Sequence, residues 1–243
     1  MDKTILITGA SSGIGAACVA QASQLNLNVI ATARSEKKLQ HISNIHKNIQ
    51  IIVADISSEE GRQHISESIQ QPIDFLLHNA AVLDKPQKFA DLTLKDFRNN
   101  IQTNAEPILF LTQQLISKFN PHSRILSLSS GAAKQAIAGL GNYCVSKAAA
   151  LMASQILKVE LAKNDILVND YFPGVVDTLM QKTLRSSTAE IFPYSDEFIK
   201  MKTDKQLNDP LAVAKHILDI FSNTTDDEFS QSEWTFKPHN VLD

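Results

Sequence analysis

Two cysteines in 243 residues, Cys18 and Cys144, leave the chain without a disulfide framework and without metal-ligand spacing. Both fall in predicted helices, where buried free thiols are expected. No apolar run approaches the roughly 20 residues that a bilayer-spanning helix needs. The first residues already read as a strand, not as a signal peptide, so a cytoplasmic location is expected. An excess of charge is also lacking: 23 basic and 26 acidic residues give a net charge of −3, with no extended basic stripe. Nucleic acid and an anionic membrane are therefore not expected partners. The seven histidines are scattered, with no H-E-x-x-H and no Cys/His cluster, so no metal is expected. Repeats, linkers and low-complexity tracts are missing too, which points to one domain over residues 1–243.

What the chain does have is a regular alternation. Apolar, mostly β-branched or leucine-rich runs predict strands at Lys3–Thr8, Asn28–Ala33, Ile49–Ala54, Ile73–Leu77, Arg124–Ser129 and Ile166–Phe172. Helices fit between or after them: 16–25, Ser35–Ile42, Glu59–Ile69, Thr93–Phe119, Asn142–Lys163 and Pro210–Phe221. Repeated β-α units imply an α/β fold, a parallel sheet with right-handed crossovers and helices on both faces.

The first of these units carries chemistry. K-T-I-L-I-T runs into G-A-S-S-G-I-G and then into a helical stretch. Gly9, Gly13 and Gly15, with Ile14 between the last two, would let the backbone approach a pyrophosphate at the positive end of the helix dipole. The spacing is G-x-x-x-G-x-G, and the alternative is a purely structural turn. Ser11 and Ser12 either donate to the phosphates or are ordinary turn residues.

A second constellation lies near the middle. Tyr143 follows Ser130 by thirteen residues and precedes Lys147 by four. If Tyr143 opens a helix, the Lys147 ammonium lies one turn along the same face, near the phenol. A neighbouring cation favours the phenolate and would draw its pKa from about 10 toward working pH. Hydroxyl, phenol and ammonium together suit proton transfer to a carbonyl oxygen. Y-x-x-x-K alone also recurs by chance.

Taken in order, T-G-A-S-S-G-I-G from Thr8, Asp55, H-N-A-A from His78, Asn104, Ser130, Y-C-V-S-K from Tyr143 and P-G-V-V-D-T from Pro173 make the chain resemble a classical short-chain dehydrogenase/reductase. The resemblance covers essentially the whole length. It implies a single-domain Rossmann-type doubly wound sheet of order 3-2-1-4-5-6, with a seventh strand at the edge near Glu233–Phe236. It implies that Tyr143 is the catalytic acid/base, that Lys147 lowers its pKa and holds the nicotinamide ribose, and that Ser130 binds the substrate oxygen. Asn104 would complete a proton relay through Lys147 and water. Asp55, beside Ile56, would accept from the adenine amino group; its other reading is a cap for the helix that follows. Asn79 and Ala80 would line the cofactor channel. Pro173 and Gly174 would turn beside the nicotinamide, with the Val176 backbone and Thr178 hydroxyl anchoring its carboxamide. His78 and Ala81 depart from the usual N-N-A-G, and His78 reads as a packed strand-end residue. Family members assemble through helices corresponding to Asn99–Phe119 and Asn142–Lys163, so a homodimer or homotetramer is implied.

The cofactor turns on the end of the second strand, A-T-A-R-S-E-K-K. An acid there would accept from a ribose 2′-hydroxyl, whereas a 2′-phosphate needs positive charge. Ala33 stands where the acid is expected and Arg34 follows it, which points to NADP(H). The alternative is that Arg34 merely opens a solvated helix. The substrate is expected to be a small carbonyl compound, because the carboxy-terminal third resembles the sepiapterin reductase and benzil reductase branch. The pterin-anchoring acid of the former falls on Thr235 in E-W-T-F, with Glu233 as a substitute, which favours an apolar ketone, diketone or aldehyde. A substrate lid is expected at about 179–205, where Leu179, Met180, Leu184, Ile191, Phe192, Phe198 and Met201 either form an apolar wall or simply pack. The expected activity is NADPH-dependent carbonyl reduction. Sepiapterin reduction and a non-catalytic NADP-binding regulator or assembly subunit are the alternatives.

Overall fold

Each predicted strand forms, and all lie parallel in one sheet. The computed structural model of the chain describes residues 3–237. Its strands are β1 (Thr4–Thr8), β2 (Asn28–Ala33), β3 (Ile49–Val53), β4 (Ile73–His78), β5 (Phe119–Leu128), β6 (Leu167–Phe172) and β7 (Trp234–Thr235), in the order β3-β2-β1-β4-β5-β6-β7. Every neighbouring pair is parallel, with Leu6 opposite both Ile30 and Leu76. The chain steps outward from β1 to β3, then crosses back to β4. That reversal leaves a crevice above the carboxyl ends of β1 and β4, where doubly wound folds take ligands.

The continuous apolar runs are explained by burial on both faces. Ile5, Ile7, Val29, Ala31, Phe75 and Leu77 point one way, onto α1 (Gly13–Gln24) and α9 (Pro210–Asn223). Leu6, Ile30, Leu76, Ile125 and Val168 point the other way, onto α5 (Glu106–Leu115) and α6 (Gly141–Leu161). The remaining helices are α2 (Glu36–Ile45), α3 (Glu59–Ser68), α4 (Leu94–Asn104), α7 (Leu179–Arg185), α8 (Ser195–Thr203) and α10 (Asp226–Gln231). Several helix starts carry side-chain caps: at α3 Ser58 accepts from the Gly61 amide, at α4 Thr93 from Asp96 and at α9 Asp209 from Ala212.

Four expectations are corrected. The single helix at Thr93–Phe119 is two, broken at Ala105 by Pro107 in the first turn of α5, where the ring removes an amide donor and crowds the preceding turn. Phe119 belongs instead to β5, which starts well before Arg124 because Phe119 pairs with Ile73. The edge strand is only Trp234–Thr235, although the Phe236 amide still donates to the Phe172 carbonyl at 2.9 Å. Cys18 is buried as expected, but Cys144 is only half-buried. Among the described residues no helix is long and apolar enough to cross a membrane. Met1, Asp2 and residues 238–243 of the expected domain lie outside the described residues.

Candidate active site

A cavity of about 410 Å³ opens at the carboxyl ends of the strands. Gly9, Ser11, Ser12, Gly13, Ile14, Arg34, Asp55, Ile56, Asn79, Ala80, Tyr143, Lys147, Pro173 and Thr178 line it. Of the other expected site residues, Gly15, Asn104, Ser130, Gly174 and Val176 are not part of that lining.

The glycine turn is shaped as much by the chain as by any ligand. Gly9 has φ +65°, and a Cβ there would lie 2.7 Å from the Ala80 Cα. A Cβ on Gly15 would lie 2.5 Å from both Asn79 Nδ2 and the Gly9 carbonyl oxygen. Asn79 makes this fit necessary: its Nδ2 donates to the Thr8 carbonyl at 2.8 Å and the Gly9 carbonyl at 3.2 Å. The Asn79 and Ala80 amides both donate to Thr8 Oγ1 at 3.0 Å. Two of the three glycines therefore admit the β4 end. At the start of α1 the Ser12 side chain makes no cap hydrogen bond and the first turn carries no acid. The amide end of that helix thus faces the cavity without a competing anion.

At the other end of the cavity Arg34 lies 3.9 Å from Asp55, with side-chain exposures of 64% and 45%. Asp55 Oδ1 accepts from the Ser57 hydroxyl at 2.7 Å and the Ser57 amide at 3.0 Å. Burial pushes this carboxyl up, but the Ser57 bonds and the Arg34 charge hold it below the usual range. Asp55 does not cap the next helix; Ser58 does.

The reactive groups meet where α6 begins. Tyr143 lies in its first turn and Lys147 one turn later, with Nζ 5.9 Å from the Tyr143 ring centroid. Lys147 is buried and donates to the Leu128 carbonyl at 2.9 Å. Burial pulls its ammonium down to about 8, opposed by the charge of Asp170. Burial pushes the Tyr143 phenol up to about 12, against a hydrogen bond with Ser130. This reverses the expected direction for Tyr143, because desolvation outweighs the Ser130 hydrogen bond. The Ser130 hydroxyl is held in place by accepting from the Ala132 amide at 3.2 Å.

Asn104 does something the sequence did not suggest. Its Oδ1 accepts from the Val82 amide at 2.7 Å, while Nδ2 donates to the Val82 carbonyl at 3.0 Å and to Ser146 Oγ at 2.9 Å. Ser146 in turn donates to the Tyr143 carbonyl at 2.9 Å. Asn104 thus straps the loop after β4 to the first turns of α6. His78 is packed as expected: it is buried, has Nε2 2.9 Å from Thr112 Oγ1, and is pushed down to about 3 by desolvation.

On the opposite wall, Val176 forms an isolated bridge with Asn208. Asn208 Nδ2 donates to the Pro173 carbonyl at 2.9 Å and lies 2.8 Å from where a Gly174 Cβ would stand. Asn208 was not foreseen, since nothing in its local sequence marks it. Thr178 caps α7. In the expected lid, Leu179 and Met180 line the cavity, whereas Leu184 and Phe192 are buried with Leu140 against Tyr143 and Phe198. The Ile191 carbonyl abuts Gly139, and Met201 does not reach the cavity lining. Neither Thr235 nor Glu233 lines the cavity, and Glu233 is paired with Lys134 at 2.6 Å.

Comparison with known proteins fits this geometry. The family model described as short chain dehydrogenase matches residues 3–189. Over 255 residues the chain is 27% identical to a benzil reductase ((S)-benzoin forming) of Bacillus cereus, covering 95% of this chain and 97% of that protein. A 3-oxoacyl-[acyl-carrier-protein] reductase of Rickettsia conorii is 32% identical over 192 residues, 77% of this chain and 78% of that one. A solved short chain dehydrogenase/reductase of Saccharomyces cerevisiae, YIR035C, superposes with a TM-score of 0.86 at 23% identity, covering 96% of this chain and 95% of that chain. At that identity the likeness is one of fold.

Proposed function

Because the chain belongs to the short-chain dehydrogenase family, we propose that it is an NADPH-dependent cytoplasmic reductase of a ketone, diketone or aldehyde, with Tyr143 as proton donor. The observation that carries this reading is one cavity with Arg34 and Lys38 at one end and the Tyr143–Lys147 pair at the other. When bound, the reduced nicotinamide supplies the hydride.

The chain's own residues bind, orient and move the proton. The turn at Gly9–Gly15, with Ser11, Ser12 and Ile14, holds the diphosphate at the amide end of α1. Arg34 takes the 2′-phosphate, and Ala33 offers no acid to repel it. Asp55 and Ile56 border the adenine, with Asn79 and Ala80 forming the floor. Pro173, Gly174, Val176 and Thr178 hold the carboxamide, and Lys147 holds the ribose. The Ser130 and Tyr143 hydroxyls take the carbonyl oxygen, and Tyr143 gives up its proton as negative charge develops there. Lys147 compensates the phenolate that remains. Both side-chain groups of Asn104 are already bonded to Val82 and Ser146, which makes its side chain a strap for the site before it is a member of any proton relay.

The likeness to benzil reductase and the apolar Leu179–Met180 wall favour a diketone over a pterin. Phe110, Ile116, Val145, Met152, Ile156 and Val159 are exposed on or beside α5 and α6. Val145, Met152 and Val159 recur every seven residues, one stripe suited to a homodimer or homotetramer. The test is loss of reduced-nicotinamide absorbance with benzil, a simple aldehyde, a quinone and sepiapterin, with NADPH and NADH in parallel. Tyr143→Phe is expected to lower kcat by about 10² or more while NADPH still binds. Normal turnover by that variant removes Tyr143 from the mechanism. NADPH binding without turnover on any carbonyl favours the regulator.

A further inference from the structure

Strand β6 is buried on both faces, yet it carries a carboxylate, Asp170, in its middle. The residue is half-buried, and its Oδ1 is fully buried with no hydrogen-bond partner. An ionised carboxylate without full hydrogen bonding is expensive inside a protein, and nothing in the sheet needs it there.

Its location is specific. Asp170 lies opposite Ser127 of β5, and the next rung pairs Tyr171 with Leu128. Leu128 is the residue whose carbonyl holds the Lys147 ammonium. Ile125 and Val168 face the α6 side, and alternation along parallel strands puts Ser127 and Asp170 on that side too. Lys147 lines the cavity and Asp170 does not. The carboxylate therefore stands outside the cavity lining, on the face of the sheet that α6 covers.

The Ser154 hydroxyl of α6 acts on it most, followed by three cations: Lys158 of α6, Lys134 from the segment between β5 and α6, and Lys147 of α6. The outer two have other partners. Lys134 pairs with Glu233, and Lys158 donates to the Ser230 carbonyl. Lys147 is held by a neutral carbonyl, and the charge that opposes its desolvation is that of Asp170.

We propose that Asp170 is a positioning residue of the reductase: from outside the cavity lining it keeps the Lys147 ammonium charged and turned to the Leu128 carbonyl, a role that rests on the reading of Tyr143 and Lys147 above. Burial pushes Asp170 up to about 6 and Lys147 down to about 8, so between those values each is charged and supports the other. Removing the carboxylate leaves Lys147 desolvated without a counter-charge. It then loses its proton at lower pH, and the phenolate loses its compensating cation.

The experiment titrates Lys147 directly by nitrogen-15 NMR of lysine side chains, with its resonance assigned by loss in Lys147→Met. The titration is run beside the pH profile of kcat/KM for NADPH-dependent benzil reduction. Asp170→Asn should lower the Lys147 midpoint by roughly one pH unit and move the alkaline limb of the profile the same way. Asp170→Glu should restore most of both shifts. Asp170→Ser serves if the amide variant does not fold. An unmoved midpoint overturns the proposal, as does a loss of rate by the same factor at every pH. If the wild type reduces no carbonyl while the midpoint still moves, the proposed function fails and the hold of Asp170 on Lys147 stands.

Discussion

Replacing Arg34 with alanine separates the two nicotinamide cofactors. The guanidinium is 64% exposed and lies 3.9 Å from the Asp55 carboxylate, an exposed pair worth less than about 1 kcal/mol. A charge-assisted bond from Arg to a phosphate contributes about 1.5–3 kcal/mol. Giving up the Asp55 pair on binding takes up to about 1 kcal/mol from that. Lys38 also lines this end of the cavity and keeps part of the positive potential after the substitution. A net loss of about 1–2 kcal/mol converts to a rise of about 5- to 30-fold in the KM for NADPH. NADH has no 2′-phosphate, so its KM should move by less than about twofold. Initial rates against each cofactor at saturating benzil measure both numbers. Ala33→Asp is the complementary variant: it places an acid beside the 2′ position and should weaken NADPH while sparing NADH. Equal effects of Arg34→Ala on the two cofactors would refute the assignment, and so would a wild type that prefers NADH.

Two further substitutions test the scaffold beneath the site. Gly15→Ala puts a methyl 2.5 Å from both Asn79 Nδ2 and the Gly9 carbonyl, groups already bonded to each other, so about 1–3 kcal/mol of stability should be lost together with NADPH affinity. A melting temperature and NADPH affinity equal to wild type would show that the turn can yield. Arg124 is buried, with Nη1 donating to the Ile220 and Phe221 carbonyls and Thr224 Oγ1, and Nη2 to the Thr224 carbonyl and Asp226. Arg124→Met should therefore cost about 3–5 kcal/mol by urea unfolding, and a loss under about 1 kcal/mol would mean that those groups find water instead. The Arg124 hydrogen bond holds Asp226 below the usual carboxylate range, so its stabilisation is present above the ordinary value and is lost as pH falls through the folded one. Arg124→Met should flatten that acid-side loss.

The parallel sheet was legible because a strand buried on both faces has no polar alternation to obscure it. The start of β5 was not: Phe119 was expected to end the long helix, and only its pairing with Ile73 makes it strand. The break at Ala105 hid inside one long stretch without a glycine, with Pro107 as its one local mark. Helix α10 carried a Thr225–Glu228 capping box that could have announced it, though six residues give no periodicity. In the site, residues fixed by backbone chemistry could be found from motif spacing. Ser146, Asn208 and Asp170 could not, because each acts through partners brought near only by the sheet. Spacing likewise placed Lys147 beside Tyr143 but could not weigh the desolvation that sets the direction of both shifts.

That direction bears on which half of the chemistry the fold prepares. With the phenol pushed up to about 12 and the ammonium down to about 8, the folded chain holds Tyr143 protonated throughout the working range. In the proposed reduction this makes Tyr143 a proton donor, not a ready base. Such a phenol parts with its proton only toward an oxygen that is gaining negative charge, which is what hydride delivery to a carbonyl creates. In that reaction the phenolate would form beside the buried Lys147, where the attraction between opposite charges is larger than at the surface. The burial that raises the Tyr143 value thus also strengthens the interaction that stabilises its conjugate base, provided Lys147 keeps its proton. In this structure the group that favours that proton is a carboxylate on the next strand over, which is why the pH behaviour of the pair belongs to three residues and not to two.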